Sequence, residues 1–374
     1  MGKAEFLRHL YNEELVHQAE GGMGPVHAAA RHGHVECVKV CVQLDPRGAA
    51  ILDEGPEGVL PAHFAAENKR VEVVAWLLSG QLPGTAEAFE RPCGKQGFTP
   101  ARYATAAQSS EVAALIFHHG HWKTFFVPDA KDNETAAHNC ATHGWDWFFR
   151  TLVGNKEAVL ALVRCGGVGF KVSSFAAFSG HVHILEVLWE VGKDRVFKKA
   201  WCAGRAVTSA GKGDPCTLGR QVETLQWLVD RLGKECLTES HSDLFDGLSA
   251  SFLALQSGHC LLVDFMREQL GEDAFHEAPD KQGLIYAALT PEIFQKDLIA
   301  PLQDPNFVNK LVEVLGLRAV FCAQSSDKDL TVVHCCVWRN YRDALEYVCK
   351  HASEGGIDAL RSKNKAGAAA AHYA

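Results

Sequence analysis

The sequence is short of the features by which most activities announce themselves. It has no basic surplus and no Lys/Arg block: 37 Lys+Arg stand against 45 Asp+Glu, a formal charge of −8. A domain that wraps phosphate backbone carries a basic face, so nucleic acid is not expected as a partner. No run approaches the ~18 uncharged apolar residues of a membrane-spanning helix, so no membrane insertion is expected. The opening MGKAEFLRHLYNEELVHQAE lacks the apolar core of a signal peptide, and Phe6 stands where N-myristoylation wants Ser or Thr. The Gly-Lys of GRAVTSAGKGD is followed by Gly213, which breaks a phosphate loop, and GGVGF lacks the strand–helix setting of a dinucleotide site. There is no GxSxG, and no carboxylate pair reads as catalytic. Catalysis, a cofactor and a small-molecule substrate are therefore not expected.

Cysteine is not scarce, but regular pairing is. Thirteen cysteines lie at irregular spacing without a single CxxC, unlike a disulfide framework. They read as reduced thiols in a cytoplasmic, or nuclear, protein, where free cysteine mostly packs as a small hydrophobe. The nineteen histidines include the cluster His118, His119 and His121, the pair His32 and His34 near Cys37 and Cys41, and His334 beside Cys335 and Cys336. Zinc sites use four ligands with paired spacing. Each cluster lacks its second pair, so no metal is expected. A metal- or redox-responsive switch is the third of three functional readings, and metal content would test it.

What is present is a repeat, and 374 residues exceed the ~250–300 at which one core stops growing. GPVHAAARHGHVECVKVCVQL at 24–44 reads as a short helix, a tight turn and a second helix. It returns at 58–78, 97–120 and 133–153. With His27 as register mark, equivalent positions are His63, Arg102, His138, Ser174, Phe252, His334 and His372; the first four steps are 36, 39, 36 and 36 residues, and the last is 38. The 78-residue gap before Phe252 holds a helical pair around 200–211 and 219–231, and the next gap holds a shortened unit, PDKQGLIYAALTPEIFQKDL. Val35, Cys37, Val38, Val40, Cys41 and Leu44 crowd one face of a second helix, as do Val71, Val73, Val74, Leu77 and Leu78. Such wide apolar stripes are buried by stacking neighbours. Gly33, Gly144, Gly180 and Gly258 recur six residues after the mark, where positive φ ends a helix cheaply.

The units GPVHAAARHGH, FTPARYA, TAAHNCATHG, TVVHCCVWRN and AAAAHYA resemble the ankyrin-repeat family, whose signature is T-P-L-H-x-A-A followed by Gly-His. A HEAT-like solenoid, with a period of ~40–47 residues and no such helix start, is the competing architecture. The resemblance implies an all-α, mostly helical repeat solenoid of stacked helix-turn-helix units joined by short β-hairpin or finger loops. Residues 1–23 read as an N-terminal capping helix. Residues 24–374 read as a single solenoid of about nine degenerate repeats plus the first helix of a tenth, the chain stopping mid-repeat. EAVLALV at 157–163 reads as an extra helix, and the aromatic run GWDWFFRTLV as mostly core, with Trp147 or Phe149 facing outward.

The resemblance implies a non-catalytic scaffold or adaptor that holds a protein partner on its concave face. The alternative is the ankyrin portion of a longer enzyme or channel whose activity lies beyond residue 374. Partner contacts are expected at the positions before the helix-turn glycine: Arg31 and His32, Glu67 and Asn68, Ala106 and Ala107, Thr142 and His143, Phe178 and Ser179, Gln256 and Ser257, Trp338 and Arg339. The finger-tip candidates are Lys95, Gln96, Lys131, Asp132, Asp327 and Lys328. Trp338 and Arg339 stand out because such residues suit interface anchors.

Overall fold

The computed structural model describes residues 22–45, 50–79, 82–166, 171–198, 200, 202–210, 215–239, 249–271, 275, 301–322, 330–351, 353, 356–364 and 367–373. Most of the capping segment, the shortened unit at 279–298 and the finger tips Asp327 and Lys328 lie outside these residues. The chain separates into two compact units: residues 1–176 with 183–196, and residues 177–182 with 197–374.

Unit one is built from helix pairs. These are α1 and α2 (Pro25–His32, Val35–Leu44), α3 and α4 (Pro61–Glu67, Val71–Leu77), then a short α5 (Thr85–Glu90), α6 and α7 (Pro100–Ala106, Ser110–Ile116), and α8 and α9 (Ala136–Thr142, Asp146–Thr151). The extra helix follows as α10 (Lys156–Arg164), started by the Asn155 side chain, which accepts from the amides of Glu157 and Ala158. First helices stack on first helices, α1 on α3, α3 on α6 and α6 on α8, while α2 stacks on α4 and α4 on α7. The register of the sequence is the register of the core. Ten residues after each mark, Cys37, Val73, Val112 and Phe148 are buried; fourteen after, Cys41, Leu77, Ile116 and Leu152 are. Buried Ala29, Ala65, Ala104 and Cys140, two residues after the mark, let neighbouring first helices approach.

The histidine that marks the register clamps one unit to the next. In α1 the His27 Nδ1 accepts from the Gly24 amide (3.1 Å), and its Nε2–H donates to the Asp53 carbonyl of the following segment (2.8 Å). His63 repeats this with the Leu60 amide (3.3 Å) and the Arg91 carbonyl (3.1 Å). Each ring also meets edge-on the aromatic that follows the next mark: His27 on Phe64, His63 on Tyr103, His138 on Phe175. Arg102 replaces the histidine in α6 and reaches forward instead to Asp129 (3.3 Å) and Glu134 (3.1 Å).

The expected fingers are present as tight backbone turns rather than extended hairpins. No strand forms among the described residues, and the Cys93–Phe98 pair is an isolated antiparallel bridge. Gly94 and Gly97 supply the positive φ values of its turn. Neighbouring fingers are stitched together, the Gly94 amide donating to the Glu57 carbonyl (3.1 Å) and the Ala130 amide to the Gln96 carbonyl (2.9 Å).

Between the two helices of a pair the chain makes a left-handed step six residues after the mark. Gly33 and Gly144 take it with φ of 82° and 70°, but Lys69 (59°) and Gln108 (57°) take it too. The amide one residue later returns to the carbonyl five residues back, as in His34 to Ala29 and Arg70 to Ala65, which is the Schellman closure. A side chain at positive φ costs ~1–2 kcal/mol, so Gly33→Ala is expected to lower stability by about that much. Lys69→Gly is expected to shift it by less than ~1 kcal/mol, because relieved strain is set against the entropy of an unfolded glycine. Thermal melts of the two variants beside the parent check both.

Unit two carries the same grammar. The division runs through α11 (Val172–Ser179), which the Gly180 step (φ 70°) closes ahead of α12 (Val182–Gly192); α12 and the short α13 (Asp194–Phe197) that follows it lie almost wholly in unit one. Within unit two, α14 (Cys202–Ala210) and α15 (Pro215–Leu232) form the pair expected around 200–231, and α16 (Ala250–Ser257) and α17 (Cys260–Leu270) the next. α14 stacks on α16 and α15 on α17. Two further helices, α18 (Pro305–Leu315) and α19 (Leu317–Phe321), precede α20 (Val332–Trp338), α21 (Arg342–Lys350) and α22 (Gly356–Arg361). His334 in α20 clamps as its counterparts do, Nδ1 accepting from the Thr331 amide (3.2 Å) and Nε2–H donating to the Ala368 carbonyl (3.1 Å).

Candidate partner-binding groove

Five of the positions singled out in the sequence share one groove of unit one. It has a volume of about 750 Å³ and lies where the ends of α3 and α6 meet the fingers. Glu67 closes α3, Ala106 and Ala107 close α6, and Lys95 and Gln96 form the tip of the Cys93–Phe98 finger. The sequence reading missed four further lining residues: Glu57, Gly94, Phe98 and Tyr103. Glu57 was within reach of the register, since it precedes His63 by six residues as Gln96 precedes Arg102.

The floor is aromatic and the rim is charged. Phe98 and Tyr103 meet edge to face at 5.4 Å, and the Arg102 guanidinium lies over the Phe98 ring at 5.1 Å. Lys95 Nζ stands 3.1 Å from Glu57, with 84% of the lysine side chain in solvent. Glu67 makes no ion pair among the described residues. Burial, with Glu67, Cys93 and Glu57 nearby, pushes the Tyr103 phenol above its ordinary pKa. The hydroxyl thus stays protonated.

The remaining candidates are placed elsewhere. Arg31 and His32 are exposed at the end of α1, His32 stacked on His34. Asn68 turns back on its own helix, its amide donating to the Phe64 carbonyl, and Thr142 does the same to His138. His143 Nε2–H donates to the Thr105 carbonyl (3.0 Å), so it joins neighbouring units. Lys131 pairs with Asp132 at 3.5 Å, and both amides bond the Asp129 carboxylate. In unit two Phe178 and Gln256 are half-buried, and Arg339 reaches the Tyr341 hydroxyl. Trp338 is 67% exposed. A hollow on α21, lined by Arg342, Leu345, Glu346 and Cys349, does not include it.

The aromatic run of α9 is core in part only. Phe148 and Phe149 are fully buried, so Phe149 does not face outward; half-buried Trp147 is held by its indole N–H on the Ser110 hydroxyl (3.0 Å). Phe117, Phe125 and Phe126 pack around Phe148. Of the histidine cluster, His121 is buried against Glu90 (3.2 Å), whereas His118 and His119 are exposed. Among the described residues no three His, Cys, Asp or Glu side chains converge to hold a metal ion.

The thiols divide by burial. Burial pushes Cys41 and Cys165 up to about 11, and the enclosed Cys140 well above its ordinary value, so none is a ready thiolate nucleophile. Cys349 is exposed. Iodoacetamide at neutral pH is expected to modify Cys349 well before Cys41, Cys140 or Cys165, as peptide mass mapping over time will show.

Among the described residues no helix is long and apolar enough to cross a membrane. No curated protein matches the chain in sequence. Residues 2–87 match the family model described as ankyrin repeats (3 copies), a match that begins inside the segment read as a cap and runs through α1–α4 into α5. Residues 2–87 are therefore ankyrin repeats, and the chain is a helical repeat protein whose later units keep the same helix-turn-helix build.

Proposed function

We propose that the protein is a non-catalytic adaptor that holds a protein partner in the groove formed by α3, α6 and their fingers. Ankyrin repeats are protein-interaction modules. One observation carries it: five positions that the repeat register and the family resemblance single out, spread over 41 residues of sequence from Glu67 to Ala107, line a single groove with an aromatic floor. Its small residues, Gly94, Ala106 and Ala107, leave room for a partner's side chains. The thirteen cysteines favour a reducing compartment, the cytoplasm or nucleus.

The test is affinity capture with the full chain, comparing the parent with Ala106→Trp, which fills the groove from an exposed position, and Trp338→Ala, which removes the exposed indole of unit two. A stoichiometric partner lost with Ala106→Trp and kept with Trp338→Ala places binding in the groove. The reverse pattern moves the site to α20 and refutes the groove.

A further inference from the structure

We infer that the groove receives a cationic side chain, an arginine or lysine carried on a segment of the partner protein. The inference rests on the protein-binding reading above and adds the chemistry of what is bound.

The groove presents acceptors in excess of cations. Glu57 and Glu67 stand on it, and among its described lining residues the one cation, Lys95, is a solvent-exposed side chain already against Glu57. An exposed pair of that kind holds its partner weakly, so an incoming guanidinium can displace it. An acidic segment would meet two carboxylates and a lysine already engaged. The neutral Tyr103 hydroxyl adds a further acceptor.

Two of these acceptors, Glu57 and Tyr103, converge. A methyl group placed on Gly94 would lie 3.6 Å from the Tyr103 hydroxyl oxygen and 4.0 Å from a Glu57 carboxylate oxygen. The space above Gly94 is thus bounded by two acceptors within reach of one donor group. It is kept open by a residue whose φ of 75° disfavours any side chain. Beneath it, Phe98 and Tyr103 offer aromatic surface for the aliphatic stem of an arginine or lysine. That guanidinium and ring suit each other at this spot is shown by Arg102, which stacks on Phe98 from its own side. The formal charge of −8 draws a basic partner toward the chain at low salt.

The experiment is selection of random dodecapeptides displayed on phage against the full chain. Enriched peptides are then measured by fluorescence anisotropy on the parent, on Glu57→Gln/Glu67→Gln, on Lys95→Ala and on Ala106→Trp, each with a parent-like thermal melt. The inference expects enriched sequences carrying Arg or Lys. It expects affinity to fall at least about tenfold in the double variant, to rise in Lys95→Ala, and to weaken with salt. Enrichment of acidic or uncharged peptides, or equal affinity for the double variant, overturns it. If such peptides are still blocked by Ala106→Trp, the groove stands as a binding site and only its chemistry was misread. If the folded chain enriches no peptide, the protein-binding reading falls, and this inference with it.

Discussion

Arg102→Met is expected to destabilise unit one by about 3–5 kcal/mol, the usual result of removing one partner from a buried ion pair. The arginine side chain is 10% exposed, Asp129 5% and Glu134 26%, so the change strands a carboxylate inside the protein. Desolvation works against ionised Asp129. The Asp132 amide, the Arg102 guanidinium and the Lys131 amide together outweigh it and hold the carboxyl below its ordinary pKa. Removing the guanidinium leaves that balance to two amides. Asp129→Asn keeps an oxygen for those amides and discards the charge, so the double variant Arg102→Met/Asp129→Asn should recover a substantial part of the loss. Hydrogen exchange of the α6 and α8 amides reads this better than a global melt, because a repeat array need not unfold in one step. A loss below ~1 kcal/mol for the single variant would mean that the pair is solvated in solution and does not join the units.

The second large effect is acid sensitivity. His63 accepts from one amide through Nδ1 and donates to a carbonyl through Nε2, a pattern only the neutral ring satisfies. Burial outweighs those hydrogen bonds and lowers its pKa to about 4; His27 is lowered for the same first cause. The unfolded chain, with ordinary histidines near 6.5, therefore takes up the proton first. Stability is complete above pH ~6.5 and declines as the pH falls toward 4, by on the order of 3 kcal/mol for His63. Asp129 acts in a separate window, below its ordinary carboxylate pKa. Urea midpoints for unit one should hold between pH 8 and about pH 6.5 and fall from there to pH 4.5. His63→Gln should lower the midpoint at pH 8 and flatten its dependence on pH. An unchanged slope in that variant would show that the clamp does not titrate.

These two residues also show what could be read from the chain alone. Period, helix pairs, fingers and apolar stripes were legible because each repeat restates them; the burial ten and fourteen residues after the mark holds in unit two at Leu262 and Met266 after Phe252, and at Ala344 and Val348 after His334. At Arg102 the sequence shows a signature residue missing. The structure shows an ion pair with partners 27 and 32 residues away, and no local pattern reveals a partner at that distance. α18 and α19 escaped for a related reason: they begin without the family's helix start, so nothing ties them to a register. The groove was half visible. The register identifies helix ends and finger tips, but whether a side chain there faces a neighbour, as His143 does, or open space, as Glu67 does, depends on the units on either side.

The histidine clamps bear on how the chain finds its structure. His27, His63 and His334 reach partners 26, 28 and 34 residues along the chain. Each such bond closes a loop of about one repeat, and the entropy of closing a loop grows only with the logarithm of its length. Adding units to such an array multiplies closures of the same size and introduces no longer one. The conformational search in each unit is therefore set by its neighbour's distance and not by the length of the protein, and ordering can begin at any well-formed pair and spread outward.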